Sequence, residues 1–428
     1  MIYPTMSSLQ DWLSRLEQLH PTEIELGLER VSSVAATLGV QKPAPTVITV
    51  AGTNGKGSCV ATMETLLCAA GHSVGAYSSP HLLRFNERVR INGVEVSDLE
   101  LVRAFEAVET ARGEISLTYF EFSTLAALWL YQRAGVEFAL LEVGLGGRLD
   151  AVNLVDADLA IITSVAIDHE DWLGSDREVI GREKAGVLRP GAPFVCADKN
   201  PPQSVLSAAE KQANSSYFIG RDFSVTQSEG EEKYQFGELQ LTIPPISLPR
   251  PSIAAAITAL VLLGVLPEEG VESALAKITL PGRCQQLLWH NRNLLLDVGH
   301  NPAAAEHLAR WLDANPVSGE THALVAVMAD KDLIGLFAPL SNQVNHWHPA
   351  LLPGNDRAAG ADALLSGLAG AGVEVTKVDA RCPNVADGLQ QLLATTGPQD
   401  RLLVFGSFFT VAEVLQQMRD EDNGELRG

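Results

Sequence analysis

Basic residues are scarce: 31 lysines and arginines stand against 52 aspartates and glutamates, a net charge of −21 at neutral pH. No Lys/Arg-rich run interrupts that balance. A nucleic-acid duplex or an anionic membrane would be repelled on average, and neither is expected as a partner. An anionic small molecule remains compatible, held by a few local arginines. Cysteine is sparse as well. Cys59, Cys68, Cys196, Cys284 and Cys382 form no C-x-x-C, and no histidine cluster lies near any pair. That argues against a zinc finger or a disulfide framework and suits a reducing cytoplasm. Long apolar runs are missing too: Ile253–Leu266 is too short to cross a membrane and is interrupted by Thr258. The N-terminal MIYPTMSSLQDWLSRLEQ reads as an amphipathic helix, not as a signal peptide.

With 428 residues, 46% of them hydrophobic, the chain exceeds what one core usually organises, so two domains are expected. Apolar runs of strand length alternate with helical patterns, which predicts α/β architecture with a mostly parallel sheet and flanking helices. Expected strands are 46–51, 73–77, 138–143, 159–165 and 193–196, with helices over 57–70, 98–111 and 120–134. Residues 221–243 read as a small antiparallel patch, followed by helices over 252–263 and 268–277. LPGRCQ (280–285) then breaks the pattern. A second alternation predicts a smaller Rossmann-like α/β domain with strands 294–298, 323–329, 374–378 and 402–406. The expected domains are 1–283 and 284–428. The stretch 345–360 reads as a surface loop whose histidines suggest a metal only weakly, and 424–428 as a frayed tail.

The chemistry begins at TVAGTNGKGSCV (49–60). Three glycines and Lys56 fall in a strand–turn–helix context, where backbone N–H groups and the helix dipole converge on an anion. The common phosphate loop has its hydroxyl directly after the lysine. Here Gly57 intervenes and Ser58 follows, a hydroxyl in reach of Mg²⁺. The bland alternative is a glycine-rich turn with a solvated lysine; the whole pattern favours a P-loop-type nucleotide site.

Three further stretches place polar residues beyond strand ends, where doubly wound sheets gather ligands. SSPHL (78–82) puts Ser79 after the second strand. LEVGLGGRLDAVN (141–153) ends an apolar strand with Glu142, costly there unless paired or bound to a metal, and its glycine turn carries Arg148 and Asp150. TSVAIDHEDWLG (163–174) places Asp168 and His169 after the next strand. Any one alone is more simply structural; Ser79, Glu142 and His169 together point to metal ligation. IGREKAGVLRPG (180–191) contains Lys184, which the chemistry of the sequence leaves as a surface lysine. LLLDVGHNPAA (294–304) ends another strand with Asp297 and His300, suggesting a cleft between two α/β domains.

With these segments assembled, the chain resembles the Mur ligase superfamily, and within it the bacterial folylpolyglutamate synthase family including its bifunctional dihydrofolate synthase members. The resemblance rests on ELGLERV (25–31), AGTNGKGS (51–58), YSSPHL (77–82), LTYFEF (117–122), EVGLGGRLDAVN (142–153), DHEDWLG (168–174), GREKAG (181–186), LPGR (280–283), DVGHNP (297–302) and GSFFTV (406–411), in that order. It implies ligation of L-glutamate to dihydropteroate and to reduced folates at the expense of ATP. A pterin-linked carboxylate takes the γ-phosphoryl group, and the amine of glutamate displaces phosphate from the acyl phosphate.

By the same resemblance, Thr53, Asn54, Gly55, Lys56, Gly57, Ser58, Ser252, Arg283 and Asp297 contact ATP. Ser58, Ser79, Glu142, His169 and Lys184 hold Mg²⁺, expected as two ions, with Lys184 carbamylated to N6-carboxylysine. Lys56, Lys184, His169 and Glu142 are the expected catalytic group. Glu25, Thr118, Tyr119, Phe120, Glu121, Leu149, Asp150 and Ala151 contact the pterin, and His300 and Ser407 lie near the incoming glutamate. The chain departs from the family at Ser252, where relatives often carry Asn, at Glu25 for Asp, and at Phe409 for His. A cytoplasmic monomer is expected. The alternatives are a folylpolyglutamate synthase without the dihydropteroate activity, or a non-catalytic nucleotide-binding protein of the same fold.

Overall fold

The computed structural model describes residues 8–22, 24–213, 215–228, 230–379 and 382–425. The chain forms two compact units, one ending at Ile278 and one beginning at Thr279, so the expected boundary at 283 falls just inside the second.

The first unit is built on an eight-stranded sheet of β1 (Thr46–Ala51), β2 (Val74–Tyr77), β3 (Val89–Ile91), β4 (Val94–Glu95), β5 (Phe138–Glu142), β6 (Leu159–Ile162), β7 (Phe194–Cys196) and β8 (Ser216–Phe218). Their order is β4-β3-β2-β5-β1-β6-β7-β8. From β2 to β8 every pairing is parallel, and only β3 and β4 run antiparallel at one edge. Runs such as TVITVA and FALLE are buried almost throughout, as a parallel sheet covered on both faces requires. β9 (Phe223–Ser228), β10 (Glu231–Phe236) and β11 (Leu239–Ile243) form the antiparallel patch.

The helices of this unit are α1 (Leu9–Leu16), α2 (Glu29–Leu38), α3 (Lys56–Ala69), α4 (Asp98–Arg112), α5 (Tyr119–Ala134), α6 (Glu170–Leu173), α7 (Arg177–Ala185), α8 (Gln203–Gln212), α9 (Arg250–Leu262) and α10 (Val271–Leu275). Ser8 caps α1 by accepting from the Asp11 amide, and Leu9, Trp12 and Leu16 give α1 one buried face. Residues 1–7 of the expected amphipathic helix lie outside the described residues. Trp12 packs on Phe105 of α4, which meets Phe122 of α5 edge-on at 5.6 Å and Phe85 at 5.5 Å. This aromatic cluster anchors α5, whose first turn carries the expected pterin segment.

The second unit has five strands, β12 (Gln285–Trp289), β13 (Arg292–Asp297), β14 (Thr321–Val325), β15 (His346–Pro349) and β16 (Arg401–Phe405), in the order β12-β13-β16-β14-β15. All neighbours are parallel except β12 and β13. Its helices are α11 (Pro302–Ala314), α12 (Leu333–Phe337), α13 (Ala361–Gly370), α14 (Val385–Thr395) and α15 (Phe408–Glu425). Its core includes Trp347, ringed by Phe337 at 5.4 Å and Phe405 at 6.2 Å.

Three expectations need correcting here. Residues 346–349 are not loop but edge strand, with Trp347, His348 and Pro349 buried. Residues 374–378 are not a strand: Val375–Lys377 is a 3-10 turn with Val375 84% exposed, and only Val378 reaches the sheet, in an isolated bridge to Trp347. Finally, α15 continues through Glu425, so the tail is helical at 424–425; residues 426–428 lie outside the described residues.

Candidate functional site

The order β2-β5-β1-β6 sets four parallel strands side by side, and each is followed by one of the polar stretches. The glycine loop lies at the centre. Gly52 (φ +150°) and Gly55 (φ +83°) adopt backbone conformations that side chains avoid, and a Cβ on either would collide with Thr163 or Ser252 Oγ respectively. The residues just after β6 fasten this loop: the Thr53 amide donates to the Ser164 carbonyl (2.9 Å), the Asn54 amide to Ser164 Oγ (2.9 Å), and Thr163 Oγ1 to the Asn54 carbonyl (2.7 Å). Lys56 opens α3 and folds back so that Nζ donates to the carbonyls of Gly52 (3.0 Å) and Thr53 (3.2 Å). Gly57 follows in the first turn. Ser58 is 1% exposed, and its buried Oγ has no hydrogen-bond partner. Ser252, on α9, borders Gly55 and is likewise buried.

On one side, Glu142 closes β5, 5% exposed, and one of its oxygens accepts from the Ser79 amide at 3.3 Å. Its charge adds to burial in pushing the Cys59 thiol up. On the other side, His169 follows β6 in the left-handed region (φ 54°) at the start of α6, solvent-exposed, with its amide on the Asp168 carboxylate.

Lys184 is not the surface lysine that its chemistry alone suggests. It sits in the last turn of α7, 4% exposed. The glycine turn after β5 makes this burial: a Cβ on Gly147 would lie 2.8 Å from the Glu183 carbonyl oxygen, and the Arg148 amide donates to that same carbonyl. Burial, and next the charge of Lys56, lower the Lys184 amine to about 7, against the opposing pull of Asp168 and Asp150. Asp150 is itself fully buried and accepts from the amides of Gly144, Leu145 and Val152. Desolvation still raises its carboxyl to about 6.

Most of the expected pterin residues lie at the start of α5 and on the turn after β5. Thr118 caps α5 and Glu121 returns the bond to the Thr118 amide (2.7 Å), a capping box buried at both residues. Arg30 joins Glu121 (3.1 Å) to Glu25, which also meets His20 at 2.7 Å. Phe120 lies against Gly144, whose missing side chain leaves room for its ring. Tyr119 and Leu149 are half-buried, and Ala151 is buried beside Asp150.

Comparison with known proteins bears on this arrangement. The family described as Mur ligase, glutamate ligase domain matches residues 282–408. The dihydrofolate synthase/folylpolyglutamate synthase of Escherichia coli K12 is 44% identical over 413 residues, 96% of this chain and 95% of that protein. The chain belongs to the dihydrofolate synthase/folylpolyglutamate synthase family. Among solved structures, Escherichia coli FolC in complex with DHPP and ADP matches with a TM-score of 0.92 at 42% identity, covering 98% of this chain and all of that one. The bifunctional enzyme of Yersinia pestis, complexed with AMPPNP and Mn ion, matches with a TM-score of 0.89 at 44% identity over 98% of this chain and 100% of that chain.

In this family member the second unit gathers its own expected residues. Asp297 ends β13, 8% exposed, and accepts from the amides of Cys284 (2.8 Å) and Gly299 (2.7 Å). The Arg283 guanidinium lies over the Phe408 ring at 5.0 Å, and His300 faces the same ring at 6.3 Å. Ser407 is buried, with Oγ on Thr410 (2.7 Å). Residues that the sequence reading passed over also shape the site. Thr163 and Ser164 latch the phosphate loop, and Arg30 bridges the two carboxylates. Arg88 Nε donates to His81 Nδ1 at 2.7 Å, while burial and Arg88 lower His81 to about 4. Arg30 and His81 fall within ELGLERV and YSSPHL, and Thr163 and Ser164 open TSVAIDHEDWLG, but local spacing gives no reason to single them out.

Proposed function

We propose that the chain ligates L-glutamate to dihydropteroate, giving dihydrofolate, and adds further γ-linked glutamates to reduced folates, driven by ATP through an acyl phosphate. The observation that carries this reading is the single sheet edge at which a glycine phosphate loop, a buried Glu142 and a buried Lys184 come together. A scaffold that only bound nucleotide would have no use for a buried carboxylate and a buried lysine there.

Magnesium fits the donor set. The unpartnered Ser58 Oγ, Ser79 and Glu142 offer the oxygens a hard cation takes, with His169 as the one nitrogen donor. A buried ammonium at Lys184 does not fit beside a cation. A neutral Lys184 amine that adds to CO₂ and releases a proton becomes a carbamate, which does. We therefore assign Ser58, Ser79, Glu142, His169 and carbamylated Lys184 to two Mg²⁺ ions. When bound, Mg²⁺ neutralises charge on the transferring phosphoryl group and orients its oxygens.

The loop amides of 53–58 and the amino end of α3 hold the phosphates, and Lys56 leaves the Gly52 and Thr53 carbonyls to meet the β/γ oxygens. The substrate carboxylate then attacks the γ-phosphorus, ADP leaves, and the glutamate amine displaces phosphate from the acyl carbon. Glu25, Arg30, Thr118–Glu121 and Leu149–Ala151 form the pterin-side surface. Arg283 and Asp297 are proposed nucleotide contacts, and His300 and Ser407 glutamate contacts. We extend the reading to a cytoplasmic monomer.

The test offers purified protein dihydropteroate or tetrahydrofolate with glutamate and Mg-ATP and identifies the products by mass. The expected result is a gain of one or more glutamyl groups on both acceptors, with ADP and phosphate. Activity on tetrahydrofolate alone reduces the protein to a folylpolyglutamate synthase. ATP hydrolysis without a new amide rejects ligation.

A further inference from the structure

Strand β15 closes the sheet of the second unit at its edge, in parallel with β14. Their register pairs His322 with His346, and the two-residue period of strands puts Glu320 and His322 on the same face as His346 and His348. Asp379 joins them because its amide donates to the Trp347 carbonyl at 2.9 Å. Three separate segments therefore bring three imidazoles and two carboxylates to one patch.

The groups are in mutual contact. His346 Nε2 lies 3.1 Å from Glu320 Oε2, and His346 Nδ1 3.5 Å from Asp379 Oδ2. His348 Nε2 lies 3.3 Å from the same Asp379 oxygen and 3.3 Å from His322 Nδ1. The rings of His322 and His346 stack at 4.6 Å, only 11° from parallel. One donor atom each from Glu320, His322 and His346 falls within 4.8 Å of the others. His348 is 5% exposed and its Nδ1 has no hydrogen-bond partner, an unsatisfied buried nitrogen of the kind that needs a reason.

We propose that Glu320, His322 and His346 form a binding site for a zinc-class divalent cation, with Asp379 and His348 as its supporting neighbours. Two imidazoles and a carboxylate suit zinc, nickel or copper and not magnesium, so the site differs in chemistry from the oxygen-rich set of the first unit. Zinc–nitrogen bonds near 2.0 Å require the donors to close to roughly 3.3 Å of one another. Glu320 is exposed and both histidines are half-buried, so all three side chains have room to rotate inward. The cation would clip the edge strand to its neighbour. None of the five residues belongs to the proposed nucleotide, pterin or glutamate contacts.

The test uses full-length protein without a histidine tag, stripped with chelator and held in excess Mg²⁺ so that magnesium sites are filled. Zinc is titrated by equilibrium dialysis, and Co²⁺ is followed by visible absorption. The expected result is one zinc per chain that magnesium does not displace, weakened at least about 10-fold in His322→Ala and His346→Ala and about 10-fold in Asp379→Asn. Unchanged far-UV circular dichroism and ligase activity show that these variants fold. Where a histidine variant misfolds, the surface variant Glu320→Gln serves instead, with the same loss expected. A parent that takes up no zinc under excess Mg²⁺ overturns the site, as does a folded variant that binds zinc undiminished.

Discussion

At the scale of single residues, Lys184 separates what spacing shows from what burial shows. Nothing in GREKAG marks its lysine as special, and a lysine's default place is the surface. The close approach of Gly147 to the α7 backbone is what encloses it. Enclosure disfavours the ammonium and leaves an amine able to take up CO₂. The expected outcome is that Lys184→Arg, which keeps a positive charge but forms no carbamate, is as inactive as Lys184→Ala. Acetate or bicarbonate should restore part of the activity to the alanine variant, because either can place a carboxylate in the vacated space, and should do nothing for arginine, which fills it. Steady-state turnover with and without 100 mM-scale acetate, on the order of what weak carboxylate binding requires, checks both. An active Lys184→Arg would mean that the charge itself is used.

At the scale of elements, the phosphate loop depends on close packing against α9. Gly55 has a positive φ, and Ser252 Oγ occupies the place its Cβ would take. Gly55→Ala therefore meets two costs, a left-handed conformation worth about 1–2 kcal/mol and a steric one. Adding Ser252→Ala removes the oxygen and leaves Ser252 Cβ 3.6 Å away, an ordinary contact. Urea unfolding should show Gly55→Ala less stable by about 2 kcal/mol or more, with the double variant recovering part of that loss. Strict additivity would mean that Ser252 does not press on the loop. The loop and its flanking strand and helix were legible in the sequence because they are a local pattern of neighbouring residues. Strand β15 was not, since HWHP contains no β-branched residue and is a strand only through pairing with β14. Residues 374–378 misled for the opposite reason: their β-branched composition is local, and only Val378 meets a strand, in a single bridge to Trp347. Thr163, Ser164 and Arg30 escaped notice because their roles arise between segments far apart in sequence.

At the scale of the whole molecule, each of the two compact units carries its own buried core, one around Trp12, Phe105 and Phe122 and the other around Phe337, Trp347 and Phe405. Chains of this kind commonly unfold in more than one step. A ligand that binds a folded unit stabilises it by mass action, by about 2.7 kcal/mol at a hundred times its dissociation constant. The phosphate loop belongs to the first unit, with Arg283 and Asp297 of the second as further proposed nucleotide contacts, whereas the Glu320–His322–His346 cluster belongs to the second alone, so nucleotide should act chiefly on one part of the transition and zinc on the other. Calorimetry is expected to show two components. Mg-ADP should raise the first, and Lys56→Ala should weaken that shift because it deletes a charge from the loop while leaving the core intact. Zinc should raise the other, and His346→Ala should remove that shift without touching the response to nucleotide. A single sharp transition moved equally by both ligands, with each variant dulling both responses, would show that the units unfold as one and that neither ligand's effect can be assigned to its own sheet.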